Sequence, residues 1–307
     1  GESFARLLTK ERQKVYVLEL SSFQLEDIDR FHPHIALLLN VTPDHLDRYE
    51  GDIRAYGKTK MRISMNQTDK DMFICEADTP LIKELMENEQ LKANVQRFGE
   101  SKAEDTAAWW EGEKVKLSSG ESWSPSDWKL LGKHNVRNIM AAILALKEYG
   151  LSHEQITEGL ADFDPIPHRL ETIERVDGVR FINDSKATNV EAVFYALESM
   201  DEPVIWIVGG VDKGNDYSGI LDLVEEKVKA IVVLGKGYDT FSRQFKKNVF
   251  QANSMEEAIA LAASQADKEE TVLLSPACAS FDLFKNYIDR GEQFRAEVEK
   301  WKASLSN

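Results

Sequence analysis

Cysteine is scarce in this sequence. The 307 residues contain two, Cys75 and Cys278, far apart and in no C-x-x-C pair. That excludes a disulfide scaffold and a cysteine-rich zinc ribbon, and it points to a reducing, cytoplasmic setting. Long apolar runs are missing too, since none approaches the ~20 residues that a membrane-spanning helix needs. The chain does not open on a basic-then-apolar secretory pattern. Basic residues are in short supply, with 38 Lys and Arg against 53 Asp and Glu, a net charge of −15. A nucleic-acid partner requires a basic face and is not expected. An anionic small molecule can still bind, but only through local lysines, arginines and helix N-termini. An initiator methionine is also lacking. Gly1-Glu2-Ser3-Phe4-Ala5 runs straight into a helical pattern, so the expectation is a fragment whose N-terminal part is missing.

What is present is a chain with 42% hydrophobic residues, long enough for two domains. Val15–Leu20, Ile35–Val41 and Met72–Cys75 are short β-rich apolar runs of the kind found in buried parallel strands. Residues 100–130 place Trp109, Trp110, Trp123 and Trp128 among charges, Ser and Gly, which reads as short antiparallel strands. A helix is expected from about Val136 to Tyr149, closed by Gly150, and another from Ser152, with its capping-box pattern to Gln155, to about Phe163. The two prolines of "DFDPIPHR" mark a linker. Beyond it, strands are expected at 171–176, 179–183, 204–208, 230–234 and 271–275. Helices are expected at 189–200, 218–227, 237–247, 255–266 and 281–302. That alternation predicts a doubly wound, Rossmann-like α/β domain over residues 166–307, following a first α/β domain over residues 1–165.

In an open α/β sheet, ligands bind beyond the carboxyl ends of the strands. The segments "NDSKATN", "GGVDKG", "GKG" and "SPACAS" all fall at that edge, as do Glu19 and "NVTPDHLD" in the first half. Each loop alone has a plain reading, because turns favour polar residues and glycine. Their coincidence at one edge points to a site. Thr188 to Glu191 is T-x-x-E, a capping box, so Thr188 is expected to open a helix facing the crevice. Lys186 adds a positive charge beside it, and Asp184 could simply pair with that lysine. Lys213 follows the close-approach glycines Gly209 and Gly210, and Ser280 is expected to begin the last long helix. His45 sits between Asp44 and Asp47 at the end of an expected strand, and Glu19 at the end of another. That is compatible with a metal site or with ordinary surface roles. Gly57-Lys58-Thr59 mimics the tail of a phosphate loop, but Gly51 is one position too far away, so the segment reads as a helix carrying Lys58 and Lys60. Asn135 and Asn138 share a helix face. They could read an adenine edge, or one could cap the helix.

The segments "ELSSFQL", "NVTPDHLDR", "KHNVRN", "PHRLE", "NDSKATN" and "LSPACASFDLFKNYIDRG" resemble, in order and over essentially the whole chain, the Mur ligase family. "NDSKATN" and "SPACASFDLFKNY" are the most specific, and the latter favours the D-glutamate-adding branch. The resemblance implies a partial central ATPase domain followed by a Rossmann-like C-terminal domain that binds the amino acid. It places a UDP-binding domain and a glycine-rich phosphate loop upstream of Gly1. It implies an ATP-dependent amide ligase of peptidoglycan precursor synthesis, a monomer acting on UDP-N-acetylmuramoyl-L-alanine and D-glutamate through an acyl phosphate. By the same resemblance, Glu19, His45 and Lys60 would hold Mg²⁺, in two ions, with Lys60 carbamylated. Asn135, Asn138, His168, Arg169 and Asp184 would contact ATP, and Lys186 would steady the acyl phosphate. Thr188, Lys213, Ser280 and Tyr287 would hold D-glutamate, with Tyr287 standing where the family pattern has Phe. The alternatives are a sibling Mur or folylpolyglutamate-type ligase, or a non-catalytic nucleotide- or amino-acid-binding module.

Overall fold

A computed structural model describes residues 4–9, 13–42, 48–89, 91–130, 132–212 and 214–305. The chain divides into two compact units: Gly1–Ser122 with Met140–Ser152, and Trp123–Ile139 with His153–Asn307.

In the first unit the sheet runs β1 (Ile35–Leu38), β2 (Met72–Glu76), β3 (Asn94–Gly99), β4 (Thr106–Glu111), β5 (Lys114–Leu117) and β6 (Ser122–Trp123), in that order. The first four strands are parallel, and β5 turns back antiparallel on β4. The antiparallel pair expected within 100–130 is therefore present. β3 was not expected, because Asn94, Gln96 and Arg97 interrupt its apolar residues. Helices α1 (Phe4–Leu7), α2 (Ser22–Glu26), α3 (Ile53–Met61) and α4 (Pro80–Asn88) precede and connect these strands. Tyr56 and Met61 of α3 and Ile82 and Leu85 of α4 close over Phe73 and Cys75 of β2. The expected strand at Val15–Leu20 does not form. Those residues join no ladder among the described residues, and Val17 is 94% exposed. An apolar alternation makes a strand only where a neighbour accepts its backbone groups. Helix α5 (Lys133–Glu148) contributes to both units.

The second unit takes in the first part of α5 and then α6 (His153–Asp162). Its strands are β7 (Glu171–Val176), β8 (Val179–Asn183), β9 (Val204–Val208), β10 (Val228–Leu234), β11 (Asn248–Ala252) and β12 (Thr271–Leu274), in sheet order β11-β10-β9-β12-β8-β7. All are parallel except β7, which pairs antiparallel with β8 at one edge. Side chains alternate between two cores. Val204, Trp206 and Val208 face α7 (Val190–Glu198), α8 (Leu221–Lys227) and α9 (Tyr238–Gln244). Ile205 and Ile207 face α10 (Met255–Gln265) and α11 (Tyr287–Leu305). A parallel sheet covered on both faces is the expected doubly wound layer structure.

β12 lies between β8 and β9, and its last residue, Leu274, stands level with Asn183 on one side and Ile207 on the other. From β8 the chain leaves through α7 on one face, and from β12 it leaves through α11 on the other. The direction of winding reverses at that point. The loops after β8, β9 and β12 therefore splay apart above level strand ends, which is where an open α/β sheet leaves its crevice.

Candidate functional site

The loop after β8 is built inward before it is built outward. Asn183, fully buried at the strand end, donates from Nδ2 to His168 Nδ1 at 2.9 Å and to the Gly291 carbonyl at 3.2 Å, while its Oδ1 accepts from the Ser185 amide at 3.2 Å. His168 thus accepts at Nδ1. Its Nε2 stands 3.4 Å from Glu292 Oε1, the arrangement of an Nε2–H tautomer. Gly291 makes this packing possible, because a Cβ there would stand 2.2 Å from His168 Nδ1.

Asp184 is also buried. The Leu170 amide donates to its Oδ1 at 3.2 Å and the Ser275 hydroxyl to its Oδ2 at 2.9 Å. It forms no ion pair with Lys186, so that plain reading of the motif does not hold. Burial pushes its carboxyl up to about 7, against the opposing pull of the Ser275 and Leu170 hydrogen bonds and of the charges on Arg169 and Arg290.

Lys186 donates its backbone N–H to the His168 carbonyl at 3.0 Å, which turns its side chain out of the core. Its ammonium lies 6.0 Å from the centroid of the Tyr287 ring and makes no ion pair among the described residues. His168 meets the same ring edge-on at 6.3 Å. Lys186, His168 and Tyr287 therefore share one spot above β8.

Thr188 is exposed and does not cap α7. The cap is Asn189, in an extended conformation, whose Oδ1 accepts the Ala192 amide at 2.9 Å. Ser280 does not open a helix either, since α11 begins at Tyr287. Ser280 is instead buried after β12, with its carbonyl accepting the Phe284 amide at 3.0 Å. The buried segment Ser275–Cys278 precedes it, and Ala277 there holds φ 59°, a left-handed conformation.

A residue that sequence reasoning missed joins these loops. Arg290, 1% exposed, donates from Nε to Ser185 Oγ (2.9 Å), from Nη2 to the Ser185 carbonyl (2.8 Å) and from Nη1 to the Cys278 carbonyl (3.1 Å). Ser185 Oγ in turn donates a hydrogen bond to the Tyr287 carbonyl at 2.8 Å. The guanidinium thus fixes the loop of Lys186 against the loop of Ser280. Burial lowers its own pKa to about 10. The sequence carried a signal: Arg290 occupies the i position of an i, i+4, i+8 stripe with Phe294 and Val298, an arginine in core register. The loop after β9 is tied in as well, since Val211 and Ala279 exchange backbone hydrogen bonds. Lys213 itself lies outside the described residues.

At the start of α5, Asn135 and Asn138 meet as expected, with Asn138 Nδ2 donating to Asn135 Oδ1 at 3.4 Å. Neither caps the helix, which begins at Lys133. The ring of the neighbouring His134 lies 5.7 Å from that of Tyr195, tilted by 49°, and its buried Nδ1 has no hydrogen-bond partner among the described residues. Burial, then the charges on Arg169 and Arg137, hold its pKa down near 4. Arg169 is exposed and acts electrostatically on both His134 and Asp184, so the two asparagines and the β8 loop lie in one field. An amide pair beside an exposed arginine suits a nucleotide base and its phosphates.

In the first unit Glu19 is exposed, and Lys60 sits half-buried on α3 with its ammonium 4.9 Å from the Tyr56 ring centroid. His45 lies outside the described residues. Among the described residues no three His, Cys, Asp or Glu side chains gather as a metal site. An ammonium offers a cation no lone pair, so Lys60 fits Mg²⁺ only as a carbamate, whose oxygens are the hard ligands this ion prefers.

Residues 2–146 match the Mur ligase middle domain, and residues 168–278 match the Mur ligase glutamate ligase domain. The UDP-N-acetylmuramoylalanine--D-glutamate ligase of Christiangramia forsetii is 44% identical over 304 residues, covering 97% of this chain and 68% of its own length. The ligase of the same name from Porphyromonas gingivalis is 46% identical over 306 residues, with the same coverage. The chain thus spans about two thirds of the length of these relatives. Solved structures share the fold. The MurF ligase of Thermotoga maritima in complex with ADP superimposes with a TM-score of 0.63 at 19% identity, covering 87% of this chain and 63% of its own. Folylpolyglutamate synthase of Mycobacterium tuberculosis, complexed with ADP and AMPPCP, does so with a TM-score of 0.64 at 18% identity and the same coverage. Two matched domain models and identity of this extent over nearly the whole chain place it in the Mur ligase family.

Proposed function

We propose that this chain carries the central and C-terminal working parts of an ATP-dependent ligase that joins D-glutamate to UDP-N-acetylmuramoyl-L-alanine in cytoplasmic peptidoglycan precursor synthesis. The observation that carries the reading is the placement of Lys186: a cation with no carboxylate partner among the described residues, held by its own backbone at the switch point of the sheet. The likeness to relatives of that name narrows the amino acid to D-glutamate.

A carboxylate is a poor electrophile. Transfer of the γ-phosphoryl group of ATP to it makes an acyl phosphate and releases ADP. The amine of D-glutamate then attacks the acyl carbon, loses a proton, and phosphate departs with the C–O bond electrons. Negative charge gathers on the phosphoryl oxygens in both steps, and a preorganised ammonium stabilises it most where water is excluded. Lys186 has that role. Asn135 and Asn138 receive the base, with Arg169 and His168 beside them, and Asp184 shapes the loop from beneath. Thr188, Ser280, Lys213 and the Tyr287 ring hold the carboxylates of D-glutamate. Residues 1–165 form the ATP-binding domain in this scheme, and residues 166–307 form the amino-acid domain. Glu19, His45 and carbamylated Lys60 would hold Mg²⁺, which supplies charge neutralisation at the phosphates when bound.

The test is phosphate release by the full-length protein with UDP-N-acetylmuramoyl-L-alanine, ATP and one amino acid at a time. D-glutamate should support turnover, and L-glutamate, meso-diaminopimelate and L-alanine should not. Lys186→Ala should lose at least a thousandfold in kcat while keeping the far-UV spectrum of the wild type. Equal turnover with L-glutamate would hand the protein to a sibling activity, and wild-type turnover in the variant would remove Lys186 from the chemistry.

A further inference from the structure

Arg169 is exposed on a turn that backbone preference resists. His168 holds φ 64° and Leu170 holds φ 43°, so a left-handed residue other than glycine stands on each side of the arginine. Such conformations cost energy and persist only where surrounding contacts enforce them. Both flanking residues are buried, and hydrogen bonds anchor both. The Leu170 amide donates to Asp184, and the His168 carbonyl accepts the Lys186 amide.

A further tie is charged. Glu171, the first residue of β7, stands opposite Asn183 of β8 in the ladder. Its Oε2 accepts the His168 amide at 3.1 Å and lies 3.3 Å from Asn183 Nδ2. Its Oε1 accepts from Arg295 Nη2 on α11. Arg295 lies one helical turn beyond Gly291, the residue against which the His168 ring packs. One carboxylate therefore joins the strained turn to β8 and to the last helix. The Glu171 and Arg295 side chains are 20% and 34% exposed, a setting in which an ion pair adds modestly to stability. Its place beneath the turn gives it another use. The loop of Lys186 has separate ties, from Ser185 to Arg290 and from the Ala187 amide to the Asp184 carbonyl at 2.9 Å. Glu171 thus bears on Arg169 more than on Lys186.

We infer that Glu171 is a positioning residue for nucleotide binding: backed by Arg295, it holds the His168–Leu170 turn so that Arg169 meets the phosphates. This rests on the nucleotide role proposed for Arg169. The sign of the effect separates positioning from plain charge. Removing an acid beside an anion site would, by charge alone, tighten nucleotide binding. Releasing the turn weakens it. ADP binding to the full-length protein is measured by titration calorimetry, well below the unfolding midpoint of each variant. Glu171→Ala should bind ADP about tenfold more weakly than the wild type. Glu171→Gln keeps an acceptor for the His168 amide and gives up the charge, so it should fall between the two. Arg295→Ala should weaken ADP about threefold. Adding it to Glu171→Ala should weaken binding no further, because Arg295 acts through Glu171. Glu174→Ala is the control. It cuts the ion pair to Lys302, a second bridge between β7 and α11, and should leave ADP affinity unchanged. In turnover, Glu171→Ala should raise the KM for ATP by about the same factor as the ADP loss and leave kcat near the wild-type value. If Glu171→Ala does not fold, Glu171→Gln decides, and weaker binding there supports the assignment. Equal or tighter ADP binding in the Glu171 variants, or an equal loss in Glu174→Ala, would overturn it. A wild type that binds no ADP would sink the nucleotide reading, and this assignment with it.

Discussion

At the scale of single residues, the sequence exposes what reaches toward a ligand better than what holds it. Lys186 and Asp184 stand in a polar motif at a strand end and could be singled out from type and spacing alone. Asn183 and Ser275 could not, and Arg290 showed only its core-register spacing and nothing of its role, because their work depends on neighbours more than 90 residues away in sequence, such as Ser185 for Arg290 and Asp184 for Ser275. Thr188 misled for a related reason. A T-x-x-E pattern and the adjacent Asn189 both offer a cap, and only the backbone's extended turn at Asn189 decides between them. Asp184 also carries a pH signature. Its folded pKa, about 7, lies above the ordinary carboxylate value of 3.8, so the native state holds a proton there that the unfolded state has lost. Stability from this group is therefore lost as pH rises from about 4 to 7 and stays lost above that. Below 4 both states are protonated, the contribution is fully present, and it no longer changes with pH. Asp184→Asn keeps the shape and cannot ionise: its Oδ1 can still accept the Leu170 amide, and its Nδ2 can donate to Ser275 Oγ with that bond reversed. Urea midpoints measured at pH 4, 5.5, 7 and 8 should show the variant gaining on the wild type up to pH 7 and holding its lead at pH 8. Parallel curves would mean that the carboxyl ionises in the native state as freely as in water.

At the scale of elements, the buried strands of the second unit were legible because each is a short, almost wholly apolar run: "VIWIV" and "TVLL" hold no polar side chain beyond Thr271. β11 was not, because "NVFQA" is an edge strand with half-buried polar positions and follows a segment that reads as one continuous helix. α9 in fact stops at Gln244, once Phe241 and Phe245 have both reached the Trp206 core. The last helix begins at Tyr287, later than expected. Residues 275–286 must first carry the chain across the sheet edge, and the apolar spacing within "FDLF" imitates a helical turn. That crossing depends on Gly210. Its φ is +128°, and a Cβ there would stand 2.4 Å from the Ala279 carbonyl oxygen, inside the Val211–Ala279 bridge. Gly210→Ala should cost roughly 2–4 kcal/mol, combining backbone strain with a steric clash that no side chain can relieve. Denaturant unfolding measures it. A cost under about 0.5 kcal/mol would show that the two loops are not held together at that point.

At the scale of the whole molecule, the division of the core matters more than the total buried. Phe73, Cys75, Ile82 and Leu85 belong to a cluster wholly within the first unit. The clusters around Trp206 and around Phe181 belong wholly to the second. Each unit therefore supplies its own cooperative hydrophobic transition, and two-state unfolding of the entire chain is not expected. Calorimetry should resolve two transitions. Gly210→Ala lies in the second unit and should lower one of them by on the order of 5–15 °C, given 2–4 kcal/mol in a unit of this size, and leave the other in place. Hydrogen exchange supplies the assignment, because the amides of β9, β10 and β12 should lose protection with the transition that moves and those of β2 with the one that does not. Two transitions that shift together under a substitution confined to one core would require the units to unfold as a single cooperative body.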